Sequence, residues 1–496
     1  MFTQPLEKIL HTSPIPLHPG LDFSCKGNHE DSRGSEVARN GGEPPSKKPL
    51  INSLIEDRGL SLGRVGIEAS PKSSGKKLLV VKFGGSVLRD ASSIRRAAEA
   101  VGREYEEGFL IVVVVSAMKG VTDRLISLAK SLSPNIDGRE LDRILAMGEE
   151  ESARLMAAAL RSQGLEAVEV TPQSPLWPII TDERHGDAEP LEEPSRERAK
   201  RLLTLLEEGR IPVVCGFLGM SRGGEVTTLG RGGSDTTAML LANYLDADEL
   251  VLVKDVDGIF SADPGRVKDP RRIESLDVEE AYILSSGGAK ILHSKSFKYK
   301  PEGLQVRLVS LGESLTRGGT IINGSIPELE ITLYKNPIHM ITLVGNPISD
   351  LNVMARIYDE IRGNGGNLIS LTLRDKAAIL YFEGNPIQVL ERAHEVVKSS
   401  KHLKALSQYE DLAMITVSGV GLETTPGFIK RVTEPLAEAG INIYGLLTIA
   451  SSISIFVNRE ERDKAFAMIE KTMKYEGSYT SKPLPGRDCK GGLGEE

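Results

Sequence analysis

The chain reads as an α/β protein, a sheet covered by helices on both sides, followed by two copies of a smaller βαββα unit. Three observations predict this. From Lys76 to about residue 311, strands that are apolar on both faces alternate with amphipathic helices, the pattern of a sheet buried between helical layers. Beyond it the sequence repeats: Ile341-Thr-Leu-Val-Gly345 followed by Met354–Ile361 returns as Ile415-Thr-Val-Ser-Gly419 followed by Phe428–Leu436. Asn367 after two glycines returns as Asn442, and the offset is 74 residues at the first glycine and 75 at the asparagine. Finally, 496 residues with 40% apolar content are too many for one hydrophobic core. The expected division is a disordered N-terminal extension over 1–75, an α/β domain over 76–325, repeat units over 335–402 and 408–478, and a flexible tail over 479–496.

In chain order, Lys76 to Phe83 is a strand running into Gly84-Gly85-Ser86, then a helix spans about 92–107 and a strand 109–117. Further strands suit 166–171, 211–218, 249–256 and 305–311, and helices suit 122–132, 137–162, 195–208, 234–246 and 277–287. Ligands of such sheets bind where loops leave the carboxyl ends of the strands. The small repeat sheets have open edges, which pair with one another or with a second chain.

Bulk composition excludes several classes. The 61 basic and 69 acidic residues give a net charge of −8, which leaves no basic excess for a nucleic acid. Three distant cysteines, Cys25, Cys215 and Cys489, support neither a disulfide framework nor a zinc site, and point to a reducing compartment. The longest apolar run, Phe109 to Val115, is far short of the ~18 residues that span a bilayer. The N-terminus lacks a secretory apolar stretch, and Glu7, Asp22, Glu30, Asp31, Glu36 and Glu43 make it too acidic for a transit segment. A cytoplasmic protein with no nucleic-acid or membrane partner is expected.

Four loops carry chemistry suited to phosphates or carboxylates. In Lys82-Phe83-Gly84-Gly85-Ser86 two glycines follow a strand, so backbone N–H groups are able to cradle an anion beside the Lys82 ammonium; the same pair also serves as an ordinary turn. Ser116 to Asp123 places small hydroxyl residues at a strand exit before a helix, where Thr122 either seats an anion or simply caps the helix. Glu149 lies at the edge of the apolar stripe Leu141, Leu145, Ser152, Met156, Ala159 and needs a cation there, either a substrate ammonium or a structural ion-pair partner. The strongest loop is Thr227-Thr228-Leu229-Gly230-Arg231-Gly232-Gly233-Ser234-Asp235, in which a helix start and a guanidinium together make a carboxylate or phosphate receptor. Downstream, Lys254-Asp255-Val256-Asp257-Gly258-Ile259-Phe260 ends a strand, and Gly288-Ala289-Lys290 offers a second cation; Asp-Gly is also a plain turn signal.

Taken in order, KFGGS, VVVVSAMKGVTDRL, MGEEESARLMAAAL, TTLGRGGSD, VDGIFSADP and GAKILH resemble the blocks of the amino-acid kinase fold family, and within it those of the aspartate kinases. The likeness runs over roughly residues 76–475, and the two C-terminal units resemble the paired, ferredoxin-like ACT domains of those enzymes. TTLGRGGSD discriminates, because the acetylglutamate, uridylate, carbamate and glutamate 5-kinases of the same fold are not expected to carry it. The chain departs from the family's usual wording with Ser86-Val87 for Thr-Ser, Lys254 for threonine, Phe260 for tyrosine, and Leu351-Asn352 for the Pro-Gly kept at Pro426-Gly427.

The resemblance implies a three-layer αβα sandwich that transfers the γ-phosphate of ATP, with Mg²⁺, to the side-chain carboxylate of L-aspartate. That is the first step of aspartate-derived amino-acid biosynthesis. It implies that Lys82 and Lys290 stabilise the transferring phosphoryl group and that Gly84, Gly85 and Ser86 cradle it. Ser116, Thr122 and Glu149 would bind aspartate, Glu149 at the ammonium; Arg231 would clamp the α-carboxylate, with Ser234 and Asp235 completing the pocket. Lys254, Asp255 and Phe260 would meet the nucleotide. Lysine or threonine is the expected effector, and a dimer or tetramer through the ACT units the expected assembly. Two other readings stand beside this one: a same-fold kinase for another acceptor, and a catalytically silent ACT sensor.

Overall fold

The structure is a computed structural model that describes residues 75–475, except Lys290, Glu328 and residues 423–425. The expected N-terminal extension (Gly75 apart), the expected tail and Lys290 lie outside the described residues.

An eight-stranded sheet organises the first half. Its order is Ser275–Asp277, Thr320–Asn323, Gln305–Ser310, Glu249–Lys254, Leu78–Phe83, Leu110–Val115, Ile211–Cys215 and Ala167–Val170. All neighbours run parallel except Gln305–Ser310 with Thr320–Asn323. Leu78–Phe83 is central, and each of its six residues is buried, so both faces are covered, as a Leu/Val-rich parallel strand requires. The helix Gly138–Ser162 packs on Leu110–Val115 and Ile211–Cys215, while Gly233–Tyr244 packs on Leu78–Phe83. Ala91–Glu106 starts on a reciprocal cap between Asp90 and Ser93, which fixes where the loop after Leu78–Phe83 ends.

Two elements differ from the sequence reading. The strand expected over 211–218 stops at Cys215, and a separate strand, Leu218–Ser221, joins Ile180–Thr181 and Val226–Thr228 in a small second sheet. The break is at Phe217, whose φ of 68° is left-handed and whose N–H is held by Thr237 Oγ1 at 3.1 Å. The helix expected over 195–208 begins at Glu192 and is interrupted at Lys200. The earlier start follows from Glu192 and Glu193 in its first turn and from Pro194, which an initial turn tolerates.

The second half contains the two βαββα repeats, fused through one strand. Leu403–Ser418 pairs along its first part with Ile338–Gly345 and along its last part with Ser452–Asn458, so it crosses the boundary expected between 402 and 408. The result is a continuous seven-stranded sheet in which the inner repeat edges pair with each other. Each repeat keeps its own core, one including Ile357, Phe382 and Val397, the other Phe428, Val432 and Ile469. Across the seam Tyr381 stacks on Phe456 with ring centroids 3.9 Å apart. Val420 and Ala450 pack against the core of the first half, and the Gly421 N–H donates to Tyr282 Oη at 3.1 Å.

Candidate active site

Of the four segments, the first, second and fourth leave a strand or start a helix, and the third, at Glu149, lies within the helix Gly138–Ser162. Lys82 is paired on both sides, opposite Val114 and Leu252, so its side chain is delivered at the strand's carboxyl end. The chain then turns through Gly84–Ser86, where the Gly84 carbonyl accepts from the Val87 and Leu88 N–H groups. A Cβ on Gly85 would lie 2.6 Å from the Ala117 carbonyl oxygen, so only glycine lets this loop rest against the exit of Leu110–Val115. That exit reaches the helix Val121–Leu132 through Gly120, and no side chain caps the helix. Thr122 is therefore not its cap; it lines the cavity described below.

The loop after Val226–Thr228 passes through Gly230 and Gly232 in left-handed conformations and begins the helix Gly233–Tyr244. A Cβ at Gly232 would sit 2.2 Å from that of His293. Asp142, buried on the long helix Gly138–Ser162, fixes the loop's start by accepting from the Thr228 N–H (3.2 Å), the Thr228 hydroxyl (2.6 Å) and the Gly186 N–H (3.1 Å). His185 Nδ1 lies 2.8 Å from the same carboxylate.

These loops enclose a cavity of about 430 Å³. Lys82, Gly85, Ser86, Ser116, Thr122, Glu149, Arg231, Ser234 and Asp235 all line it. Lys119 and Phe217 join them; the sequence reading did not single these out, although Gly216 directly before Phe217 is the kind of residue that marks a break in a strand. Gly84 lies just beneath, with Lys82 Nζ 3.4 Å from where its Cβ would be. A second cavity of about 590 Å³ shares Arg231 and Asp235 and adds Lys254, Gly288 and His293. Lys254 and Asp255 border a third with Ser86 and Arg89. Phe260 lines none of the three; it sits in a two-stranded ribbon with Arg272–Ile273.

The electrostatics divide the main cavity into two ends. Lys82 Nζ lies 2.5 Å from Asp235 Oδ1, and Lys254 Nζ 3.7 Å from Asp235 Oδ2. Burial opposes ionisation of Asp235, but the Lys254 and Lys82 ammonium groups overcome it and hold the carboxyl well below the usual range. Glu149 is the opposite case. It is 4% exposed, its Oε2 has no hydrogen-bond partner, and burial pushes its carboxyl up to about 8, with the Ala117 backbone and Lys82 only partly offsetting this. Arg231 is exposed and, among the described residues, its guanidinium has no partner. One cavity thus presents an under-paired carboxyl, a free guanidinium and a lysine ammonium.

A parallel α/β sheet with a glycine-lined, lysine-bearing cleft at its strand ends defines a phosphotransferase of the amino acid kinase class. The amino acid kinase family model matches residues 77–310, and an ACT domain model matches residues 408–471. The aspartokinase of Mycolicibacterium smegmatis is 34% identical over 411 residues, 79% of this chain and 95% of its own. Aspartokinase 2 of Bacillus subtilis (strain 168) is 32% identical over 403 residues, 78% and 95% respectively. The crystal structure of aspartate kinase from Synechocystis aligns with a TM-score of 0.66 at 26% identity, covering 80% of this chain and 69% of that one. The chain belongs to the aspartokinase family, enzymes that use ATP to phosphorylate the side-chain carboxyl group of aspartate. Among the described residues no helix is long and apolar enough to cross a membrane.

Proposed function

We propose that the 430 Å³ cavity binds L-aspartate between Glu149 and Arg231 and presents its side-chain carboxylate to ATP beside Lys82. The carrying observation is the buried, partnerless Glu149 Oε2, a hydrogen-bond acceptor that an α-ammonium would satisfy. Arg231, without a partner among the described residues and able to bind a carboxylate through two N–H groups, takes the α-carboxylate. Ser116, Thr122 and Ser234 supply hydroxyls around the substrate.

The acceptor carboxylate is already ionised at neutral pH, with a reference pKa near ~3.9, so no general base is required. One of its oxygens attacks the γ-phosphorus, the bond to the β,γ-bridging oxygen breaks, and ADP leaves carrying that electron pair. The difficulty is bringing two anions together, and Lys82 with the Gly84–Ser86 N–H groups relieves it. Asp235 orients the Lys82 ammonium in this scheme. Lys290 is assigned a second cationic role, and Lys254 and Asp255 the nucleotide side, on family resemblance; Phe260 is assigned there by resemblance alone. Among the described residues no group of three or more His, Cys, Asp or Glu is placed to hold a metal, and Asp235 is engaged by two lysines. That donor set suits Mg²⁺ brought in on the nucleotide's phosphates, where it would lower their charge, rather than a protein cage.

ATP-dependent hydroxamate formation across aspartate, glutamate and N-acetylglutamate tests the assignment; activity on aspartate alone is expected, and preference for another acceptor refutes it. The same assay with added lysine or threonine tests feedback control through the ACT half, which we place in a cytoplasmic homodimer or tetramer. Inhibition by neither amino acid removes the feedback role, and a monomeric mass by light scattering removes the assembly.

A further inference from the structure

Asp142 and Glu149 stand seven residues apart on the helix Gly138–Ser162, both buried, on one face and about 10 Å apart along its axis. Glu149 lines the main cavity, whereas Asp142 lines none of the three, so whatever it does for the reaction it does through other residues. Its carboxylate ties two stretches of chain to one point. Oδ1 accepts from the Thr228 hydroxyl, and Oδ2 from the Thr228 and Gly186 N–H groups. From Thr228 the chain runs through Leu229 and Gly230 to Arg231. From Gly186 it reaches Asp187, whose carboxylate occupies the place a Cβ on Gly230 would take. Lys295 closes the ring, donating to Asp187 Oδ1 at 2.6 Å and to the Leu229 carbonyl at 3.1 Å. Gly230, at a φ of 73°, is held in this frame, and Arg231 leaves it in a set direction.

Aspartate carries its α-ammonium and α-carboxylate on one carbon, so the two receptors must keep a fixed separation, and a misplacement of about 1 Å is enough to cost a large factor in rate or binding. Glu149 is fixed by its helix. Arg231 sits in a loop with glycine on both sides, which its own sequence leaves pliable. We infer that Asp142 is a positioning residue for aspartate: through Thr228 and Gly186 it references the Arg231 guanidinium to the helix that carries Glu149, so that one rigid element sets the distance between the two receptors. This rests on the reading of Glu149 and Arg231 as the ammonium and carboxylate receptors.

The experiment compares wild type, Asp142→Ala, Asp142→Asn, Arg231→Ala and the double variant Asp142→Ala/Arg231→Ala by steady-state kinetics in both substrates and by thermal melting. Asp142→Ala is expected to raise the KM for aspartate roughly tenfold or more, with kcat within threefold and the KM for ATP within twofold of wild type. Asp142→Asn keeps an acceptor toward the two N–H groups, turns its amide to the Thr228 hydroxyl and recovers most of the loss. In the Arg231→Ala background the Asp142→Ala change alters the aspartate KM less than twofold, because the clamp it aims is already gone. Were Asp142 only a stabiliser of the fold, its cost would be equal in both backgrounds, and the KM for ATP would worsen along with the melting temperature; either pattern overturns the inference. So does an aspartate KM within twofold of wild type in Asp142→Ala. If Asp142→Ala does not fold, Thr228→Val removes the hydroxyl bond alone and should raise the aspartate KM about threefold in wild type but not in Arg231→Ala; equal rises, or none, overturn the inference. Wild type inactive on aspartate, or Arg231→Ala with an unchanged KM, defeats the underlying clamp assignment instead, and shows itself without any Asp142 variant.

Discussion

Replacing Glu149 by Gln should weaken substrate binding and strengthen the fold at once. The amide keeps the size of the side chain and removes a charge that the folded cleft cannot satisfy unaided. A charge-assisted hydrogen bond contributes about 1.5–3 kcal/mol, so the KM for aspartate should rise roughly 10- to 100-fold. Stability moves the other way, and only at high pH. Below pH 4.5 the carboxyl carries its proton in both folded and unfolded chains and nothing is lost. Between pH 4.5 and about 8 the folded chain retains a proton that the unfolded chain has released, so wild-type stability falls as pH rises. Above about 8 the full penalty applies; a shift of this size corresponds to at most about 4–5 kcal/mol. At about 2–4 °C per kcal/mol for a domain of this length, Glu149→Gln should melt several degrees higher than wild type at pH 8.5 and about equally at pH 5. Saturating aspartate should narrow the gap, because its ammonium pairs with the wild-type carboxylate. Differential scanning calorimetry at the two pH values, with aspartate kinetics on the same preparations, checks both halves. An unchanged aspartate KM, or a lower melting temperature at pH 8.5, refutes the reasoning.

Other outcomes follow from the same geometry. In wild type the KM for aspartate should fall as pH rises from 6 toward 8, since the ammonium is bound by ionised Glu149, and this dependence should vanish in Glu149→Gln; a flat wild-type profile contradicts it. Lys82→Ala should lower kcat at least a hundredfold, one such contact contributing about 3–4 kcal/mol, and a folded variant with near-normal turnover would remove its role. Arg231→Ala should raise the aspartate KM roughly 10- to 100-fold and leave the melting temperature unchanged, because the guanidinium is exposed and partnerless among the described residues; an unchanged KM moves the clamp elsewhere. Gly85→Ala should cost at least tenfold in kcat/KM with the fold intact by circular dichroism, since its Cβ has no room beside the Ala117 carbonyl.

The parts of this architecture visible in the sequence are those written by local pattern. Val80, Val81 and Val112 to Val115 are buried whichever face they point to, so an unbroken apolar run was enough to mark the strands. Glycine spacing around Arg231 marked the loop that gathers with Lys82 and Glu149. What stayed hidden depends on distant partners. Asp142 lies two helical turns before Glu149 on the same face, a signal that was present, but its purpose required the Thr228 backbone 86 residues away. Phe217 adopts a left-handed conformation that its own residue type does not announce, and Gly216 beside it signals only that the strand is interrupted nearby. Phe260 is placed with the nucleotide by resemblance alone; its strand pairs into the Arg272–Ile273 ribbon, and it lines none of the three cavities. The fusion of the two repeats was equally unreadable, because nothing local says that one strand of 16 residues serves both.

That shared strand joins the two repeats of the regulatory half into one covalent and hydrogen-bonded piece. Side chains alternate across a strand, so a one-residue slip of Leu403–Ser418 against Ile338–Gly345 would turn inward-facing residues of the first repeat out, and the bulge at Asp411 (φ 55°) stands between that stretch and the second repeat. A strain introduced near Leu406 has a direct covalent route, through the bulge at Asp411, to Ile415, three residues before the strand ends and six before the Gly421 contact with Tyr282. Grafting a single repeat from a relative would therefore break the tether itself, and the two are best exchanged as one piece.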